Sequence, residues 1–314
     1  MPSSNESTAL NISAASSESS SRPKIILSIS KDDLIHEDDR YGDKVYDEYY
    51  IKTMCYNSHH AELFYVDRGN FSKLRSIRLR ERQLELVNVF GNERSYKRVL
   101  RVCCLSELDL LLLVIEPDLL VLLTRVEELG SSHDCWLEAD HMKVRDDEIH
   151  NKEEPTCCAM NNSRVLIGLH STSMELFHIE SAPRIKFVNR INVPESYSSF
   201  AVGNSGEELV AVSYEDSVRV NRLCDDRLEE LSRIQCNRGT LLWLADRLII
   251  NSYNESTQSI LLSELEMNGT LLERQRELLD LGLARIHLEC WCAVGKELAI
   301  FDHTAQHLLL YSFA

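Results

Sequence analysis

Residues 208–223, ELVAVSYEDSVRVNRL, carry the pattern that decides the fold. A charged residue opens the stretch, an apolar run (LVAV) follows, and polar turn residues separate this run from a second one (VRVNRL). Short apolar runs bounded by polar turn residues are typical of β-strands rather than of helices. The stretch therefore predicts two strands joined by a tight turn.

The same pattern recurs along the chain, with successive starts 45, 57, 44, 39 and 50 residues apart. The six units begin at Glu62, Glu107, Arg164, Glu208, Arg247 and Glu297. This spacing accommodates four short strands with their turns, which is the length of one propeller blade. Flanking apolar segments supply the remaining strands, although LLERQRELLDL (residues 271–281) fits a helix equally well.

The last unit is one strand short. Its strands are ARIHLEC, ELAIF and HLLLYSF, after which the sequence ends, while the apolar segment Ile25–Ile29 near the start has no partner in its own neighbourhood. A ring whose final sheet takes a strand from the opposite terminus removes its exposed edges. We therefore predict an all-β protein, a six-bladed β-propeller closed by an N-terminal strand, with seven blades as the alternative if the 57-residue interval contains a degenerate unit.

Amino-acid composition predicts the boundaries of the other segments of the chain. Residues 1–22 contain nine serines and almost no apolar residues, which predicts a disordered tail, and residues 23–314 form the single propeller domain. Within it, residues 31–48 are expected to be an acidic loop and residues 138–154 a polar insertion. Residues 108–126 approach the length of a membrane span, but Glu116, Pro117 and Asp118 at their centre indicate a hairpin of buried strands.

Over residues 24–314 the blade period and strand pattern resemble those of the WD40-type repeat superfamily, as a divergent member. The Trp-Asp and Gly-His signatures are absent, since Trp136, Trp243 and Trp291 are followed by Leu, Leu and Cys. The resemblance implies a rigid platform for protein partners within larger assemblies.

The charge and cysteine content narrow the class of protein. A net charge of −16 disfavours general binding to nucleic acids or anionic membranes. Ten cysteines without a signal-peptide pattern predict reduced thiols and an intracellular location, cytoplasmic or nuclear.

Few residues suggest catalysis or a cofactor. His287, Cys290 and Cys292 are close in sequence, but in a strand the two thiols face away from the histidine, and the pairs Cys103-Cys104 and Cys157-Cys158 also point apart. We interpret these thiols as core residues. His59-His60 is interpreted as part of a surface loop rather than a cation site, and residues 203–206 (GNSG) as a turn rather than a nucleophile elbow. The sequence indicates no cofactor, small-molecule substrate or enzyme activity.

One segment departs from the acidic background. Between Lys73 and Arg101, nine cations and three anions give a net charge of +6. In a strand, Arg78, Arg80 and Arg82 would form a stripe on one face. The predicted partner-binding residues are Arg78, Arg80, Arg82, Arg94, Lys97 and Arg98.

The sequence thus predicts a non-catalytic protein–protein interaction scaffold, a subunit of an intracellular complex. Two alternatives stay open. A propeller hydrolase would hold a metal ion in its central channel, and an RNA-binding protein would use the basic residues 73–101.

Overall fold

A computed structural model describes residues 23–34, 51–67, 74–79, 83–86, 89–90, 99–115, 119–127, 134–144, 156–161, 163–170, 172–203, 208–224, 227–281 and 290–313. The first strand is β1 (Lys24–Ser30), and one helical turn, α1 (Lys31–Leu34), follows it directly. No helix in these ranges has the length and apolar character needed to cross a membrane.

The described strands form six sheets, which we number as blades in chain order. Blade 1 comprises β2 (Ile51–Asn57), β3 (Glu62–Asp67), β4 (Leu74–Arg78) and β5 (Gln83–Leu86). Blade 2 comprises β7 (Val99–Leu105), β8 (Leu110–Ile115), β9 (Leu119–Glu127) and β10 (Asp134–Lys143), and the short strand β6 (Val89–Phe90) pairs in parallel with β10. The antiparallel pair β8–β9 confirms the hairpin predicted within residues 108–126, and a 3-10 turn, Ser106–Leu108, precedes it.

Blades 3, 4 and 5 are four-stranded antiparallel meanders. Blade 3 comprises β11 (Thr156–Asn161), β12 (Arg164–His170), β13 (Ser173–Ile179) and β14 (Ile185–Asn192). Blade 4 comprises β15 (Ser199–Val202), β16 (Leu209–Ser213), β17 (Ser217–Cys224) and β18 (Arg227–Gln235). Blade 5 comprises β19 (Gly239–Leu244), β20 (Arg247–Asn254), β21 (Ser259–Asn268) and β22 (Leu271–Asp280), so the segment that fitted a helix equally well is a strand.

Blade 6 joins the two ends of the chain. It comprises β23 (Trp291–Val294), β24 (Glu297–Asp302), β25 (His307–Ser312) and, as its outermost strand, β1. The pairing of β1 with β25 is antiparallel and places Ile29 opposite Leu308. The first strands of successive blades contact one another around the ring, and β23 contacts β2. The six-bladed fold and its closure by the N-terminal strand are therefore confirmed.

The core lies between the blades rather than within one layer. Buried apolar residues form six clusters, each shared by two neighbouring blades. In β3, Leu63 and Tyr65 pack towards blade 6, whereas Phe64 and Val66 pack towards blade 2. A strand that is buried on both faces needs apolar residues at every position, which explains the continuous apolar runs of the repeat.

Two sequence predictions require correction at their starts, and a third lies almost entirely outside the described ranges. The acidic loop predicted over residues 31–48 begins as the helical turn α1, because Leu34 is fully buried in the core between blades 6 and 1. The polar insertion predicted over residues 138–154 begins inside β10, whose pairing with β9 extends to Lys143. The first described strand of blade 6 is WCAV, and of the predicted strand ARIHLEC only Cys290 is described. Residues 1–22 lie outside the described ranges, as do the rest of the predicted loop and, after Val144, the rest of the predicted insertion.

Candidate partner-binding surfaces

The predicted basic stripe is described only at its start. Strand β4 ends at Arg78, which is half-buried, and Leu79 follows in a turn. Two other cations of the segment, Arg75 and Arg101, are buried and are therefore not available to a partner or to phosphate. The remaining predicted contact residues lie outside the described ranges: Arg80, Arg82, Arg94, Lys97 and Arg98. Partner binding by this segment stays a prediction.

Of the seven cysteines whose side chains are described, all except Cys224 belong to a core cluster or pack against one. Cys290 and Cys292 are buried between blades 6 and 1, and the Cys290 thiol donates a hydrogen bond to the carbonyl of Ile51 across the ring closure. The described ranges bring no three His, Cys, Asp or Glu side chains together in a way that would hold a metal ion. His287 and the side chains of Cys157 and Cys158 lie outside this description.

A buried ion pair joins blades 1 and 2. The Arg125 guanidinium on β9 donates a 2.5 Å hydrogen bond to the Glu62 carboxylate on β3, and the two side chains are 5% and 2% exposed. The guanidinium also lies 3.0 Å from a carboxylate oxygen of Asp109 and stacks 4.8 Å from the ring of Trp136. This arrangement fixes the relative position of the two blades.

The turn at His59-His60 extends this network to the surface. The Asn57 side-chain carbonyl accepts hydrogen bonds from the backbone N–H groups of both histidines, and its amide donates to Asp109 over 3.0 Å. The ring of His60 lies 3.2 Å from the other carboxylate oxygen of Asp109. The structure thus places His60 in an ordered turn at the junction of blades 1 and 2.

Two thiols meet at the same junction. Cys55 on β2 and Cys104 on β7 are close enough to perturb each other's pKa. Burial raises the pKa of the Cys55 thiol, whereas the interaction with Cys55 lowers the pKa of Cys104. The Cys104 sulfur also lies 3.5 Å from the hydroxyl of Ser106. The negative charge of a thiolate is therefore better accommodated on Cys104 than on Cys55.

Hydrogen bonds between serine hydroxyls of blade 4 and backbone groups near Gly239 join blades 4 and 5. The Ser199 hydroxyl donates to the Gly239 carbonyl over 2.8 Å and accepts from the N–H of Leu241 over 3.0 Å. The Gly239 N–H donates to the Ser213 hydroxyl over 3.1 Å. A Cβ atom at Gly239 would lie 2.4 Å from the backbone carbonyl oxygen of Asn251, so glycine is required by close approach of the two strands.

We expect Gly239→Ala to lower the free energy of unfolding by about 2 kcal/mol, because the added methyl group must displace backbone rather than a flexible side chain. Urea denaturation followed by tryptophan fluorescence measures the change. The control is Gly269→Asn, at a turn with φ of +62° and open space around it, where asparagine adopts the same backbone conformation at little cost. Equal stability of the Gly239→Ala variant and the wild type would contradict the proposed strand contact.

Ion pairs also organise blade 5. Arg247 donates two hydrogen bonds of 2.8 Å to the Glu264 carboxylate, and Arg276 contacts the same carboxylate. The hydrogen bonds from Arg247 hold the pKa of Glu264 below its ordinary value of 4.5. A carboxylate with a lowered folded-state pKa stabilises the fold above its unfolded pKa, and this contribution disappears as the pH falls through the folded value.

We therefore expect Glu264→Gln to lower stability by about 1 kcal/mol at pH 7, with the difference from the wild type shrinking as the pH falls below about 4.5. Thermal unfolding monitored by circular dichroism between pH 3 and pH 7 measures it. The matched control is Glu215→Gln, because Glu215 and its partner Arg238 are both strongly exposed and 3.2 Å apart. A difference between Glu264→Gln and wild type that stays constant down to pH 3 would disprove the role of this ion pair.

The outer strands expose several large apolar side chains. Ile25 and Ile26 are exposed on β1, Phe187 and Val188 on β14, and Leu271 at the start of β22. Because these strands form the outer edges of blades 6, 3 and 5, the exposed side chains lie on the rim of the ring. Rim residues of this kind are accessible to a partner protein.

Comparison with solved structures finds chains of the same fold at low sequence identity. The chain is similar to the structure of U3-55K, with 8% identity, a TM-score of 0.55, and coverage of 86% of this chain and 97% of that one. It is also similar to a chain in the crystal structure of the Mitotic Checkpoint Complex, with 7% identity, a TM-score of 0.54 and coverage of 99% of both chains. A third similar structure is a putative 6-phosphogluconolactonase from Bacteroides fragilis NCTC 9343, with 10% identity, a TM-score of 0.55, and coverage of 82% of this chain and 79% of that one. No protein-family model and no curated protein sequence matches the chain.

Proposed function

We propose that this protein is a non-catalytic interaction scaffold, a subunit of a larger intracellular assembly. The observation that carries the proposal is the closed ring, in which the described central strands are buried between neighbouring blades and the outer strands β1, β14, β18 and β22 present exposed side chains to solvent. A rigid ring presents these surfaces without a large ordering cost on binding. The similarity to a chain of the Mitotic Checkpoint Complex supports the same function.

Affinity purification of the tagged full chain after in-cell crosslinking tests the proposal. We expect a small set of proteins to copurify in constant proportion and to migrate with the chain in one large complex. The control bait is the same chain without residues 1–31, which lacks the closing strand β1. If the full chain recovers no protein beyond those recovered by this control, the scaffold proposal fails.

The lactonase neighbour favours one competing function, a hydrolase with a metal ion in the central channel. That function requires several oxygen ligands to converge on the channel axis. Calorimetric titration with CaCl2, combined with a 6-phosphogluconolactone hydrolysis assay, distinguishes the two proposals. We expect no heat of calcium binding and no hydrolysis. Calcium-dependent hydrolysis would contradict the scaffold proposal and support the hydrolase function.

A further inference from the structure

Two adjacent apolar residues are exposed on the rim of blade 3. Phe187 and Val188 retain 46% and 48% of their accessible surface, and they lie side by side on β14, the outermost strand of its sheet. Neighbouring large apolar side chains on an accessible sheet edge are typical of contact sites for other proteins.

A β-bulge explains the exposure. Ile185 is buried in the core between blades 2 and 3, whereas Ile191 is buried in the core between blades 3 and 4. In a regular strand these two residues would face the same side, and the register shift at Val188 reverses the alternation. Phe187 lies at this reversal, where neither core covers it, and its ring is held edge-to-face against buried Phe177 at 5.8 Å. The exposure of this apolar pair is therefore a consequence of the bulge in β14.

Cations flank the apolar pair. Arg184 and Lys186 are exposed, and no described carboxylate forms an ion pair with either of them, whereas Arg190 binds the Glu175 carboxylate over 2.8 Å. Residues 184–192 contain three cations and no anion, in a chain with a net charge of −16. The rim of blade 3 thus combines positive charge with exposed apolar surface.

The backbone of β14 favours an extended ligand. The Ile185 N–H donates a 2.7 Å hydrogen bond to the Asp140 carboxylate on β10. This N–H group therefore points away from β13. By the alternation of a regular strand, the N–H and C=O groups of Phe187, two residues further, are expected to point the same way, towards the outer edge. An extended peptide that lies along this edge gains backbone hydrogen bonds in addition to side-chain contacts.

We propose that the rim of blade 3 around Phe187 and Val188 binds an extended acidic peptide segment of a partner protein. A bulky apolar side chain of that segment packs on Phe187 and Val188, and its carboxylates pair with Arg184 and Lys186. Apolar packing on Phe187 and Val188 favours a peptide over a nucleic acid, and the net charge of the whole chain opposes an anionic membrane. This inference rests on the scaffold function and names the partner chemistry for one of its surfaces.

The test uses a phage library of random 12-residue peptides, selected on the full-length wild-type protein and counter-selected on the Phe187→Ser/Lys186→Glu variant. We expect the enriched peptides to be acidic and to contain a bulky apolar residue. In fluorescence anisotropy, the best peptide is expected to bind at least tenfold more weakly to Phe187→Ser and to Lys186→Glu than to the wild type. The matched control is Leu271→Ser, which should not change binding. Leu271 is also exposed on an outer strand, at 55%, but the cations of that strand, Arg274 and Arg276, are already paired with glutamates.

Several results would overturn the inference. They are the absence of peptides that distinguish the wild type from the double variant, enriched peptides that are not acidic, and equal weakening by Leu271→Ser. Tighter binding of a 12-nucleotide RNA or of phosphatidylserine vesicles, unaffected by Phe187→Ser, would assign the cations to another ligand. A wild-type dimer in light scattering that Phe187→Ser dissociates would assign the rim to self-association. If the double variant still copurifies with every partner of the wild type, the rim inference fails while the scaffold proposal stands.

Discussion

Removal of residues 1–31 is expected to lower the free energy of unfolding by about 4 kcal/mol, whereas removal of residues 1–22 should change it by less than about 0.5 kcal/mol. The longer deletion removes β1, with buried Ile29 and partly buried Leu27, and leaves β25 as an exposed sheet edge. The shorter deletion keeps every described contact of that strand. Urea denaturation of both purified variants beside the full chain measures the difference.

Two point variants in β1 distinguish the loss of its packing from a nonspecific effect of shortening the chain. Ile29→Ala should cost about 2 kcal/mol, since Ile29 lies in the core shared by blades 6 and 1. Ile26→Ala, in the exposed bulge of the same strand, should be nearly neutral. Comparable stability of the two truncated proteins, or of the two point variants, would be incompatible with closure of the ring by β1.

Loss of the buried ion pair between blades 1 and 2 should have the second largest effect. Glu62→Gln is expected to cost about 3 kcal/mol, because it leaves the Arg125 guanidinium buried without its principal counter-charge. Removing both charges in Glu62→Gln/Arg125→Met should cost at least about 1 kcal/mol less than the sum of the two single variants. A double-mutant cycle by urea denaturation at pH 7 gives this coupling energy.

The matched control for this cycle is Arg238→Gln. Arg238 and Glu215 form an ion pair of the same type, but both side chains are strongly exposed, so the change should be within about 0.5 kcal/mol. Additive effects of Glu62→Gln and Arg125→Met would show that the two blades are not coupled through this pair.

The sequence allowed the ring and its closure to be predicted because the central strands are buried on both faces. Their continuous apolar runs, such as Leu110–Ile115, stand out against polar turns and set the period of the repeat. The outer strands were harder to recognise. Strand β10 includes EADHMK, where half-buried and exposed residues intermix, and such a segment has the composition of a polar loop.

The ion pairs between strands and blades were not predicted, since the partners are far apart in sequence. Glu62 and Arg125 are separated by 63 positions, and no local spacing relates them. One signal was nevertheless present, because the charged residue that opens a unit recurs in the repeat. Four of the six opening residues form ion pairs. Arg164 and Glu208, which open successive units, pair with each other. Glu62 pairs with Arg125, and Arg247 pairs with Glu264. In these four units the charge that precedes the apolar run thus marks a position that pairs within or between blades.

The net charge of the basic segment does not show which of its cations a partner can reach. Net charge over residues 73–101 does not distinguish a buried guanidinium from an exposed one, and Arg75 and Arg101 prove to be buried. The exposed cations of blade 3 were overlooked because Arg184 and Lys186 stand in a short segment, and the net charge of +3 over residues 184–192 is smaller than the +6 of residues 73–101. Their significance comes from the bulge at Val188, which only the strand register reveals.

Site-specific crosslinking across the closure tests the central claim most directly. Ser28 pairs with Leu309 in the structure, so Ser28→Cys/Leu309→Cys should form a disulfide within one chain after mild oxidation with copper phenanthroline. Mass spectrometry of the digest should then join the peptides that contain these two positions, whereas the out-of-register pair Ser28→Cys/Ser312→Cys should not crosslink. Failure of the in-register pair to crosslink, equal crosslinking of both pairs, or a crosslink only between two chains would contradict the account.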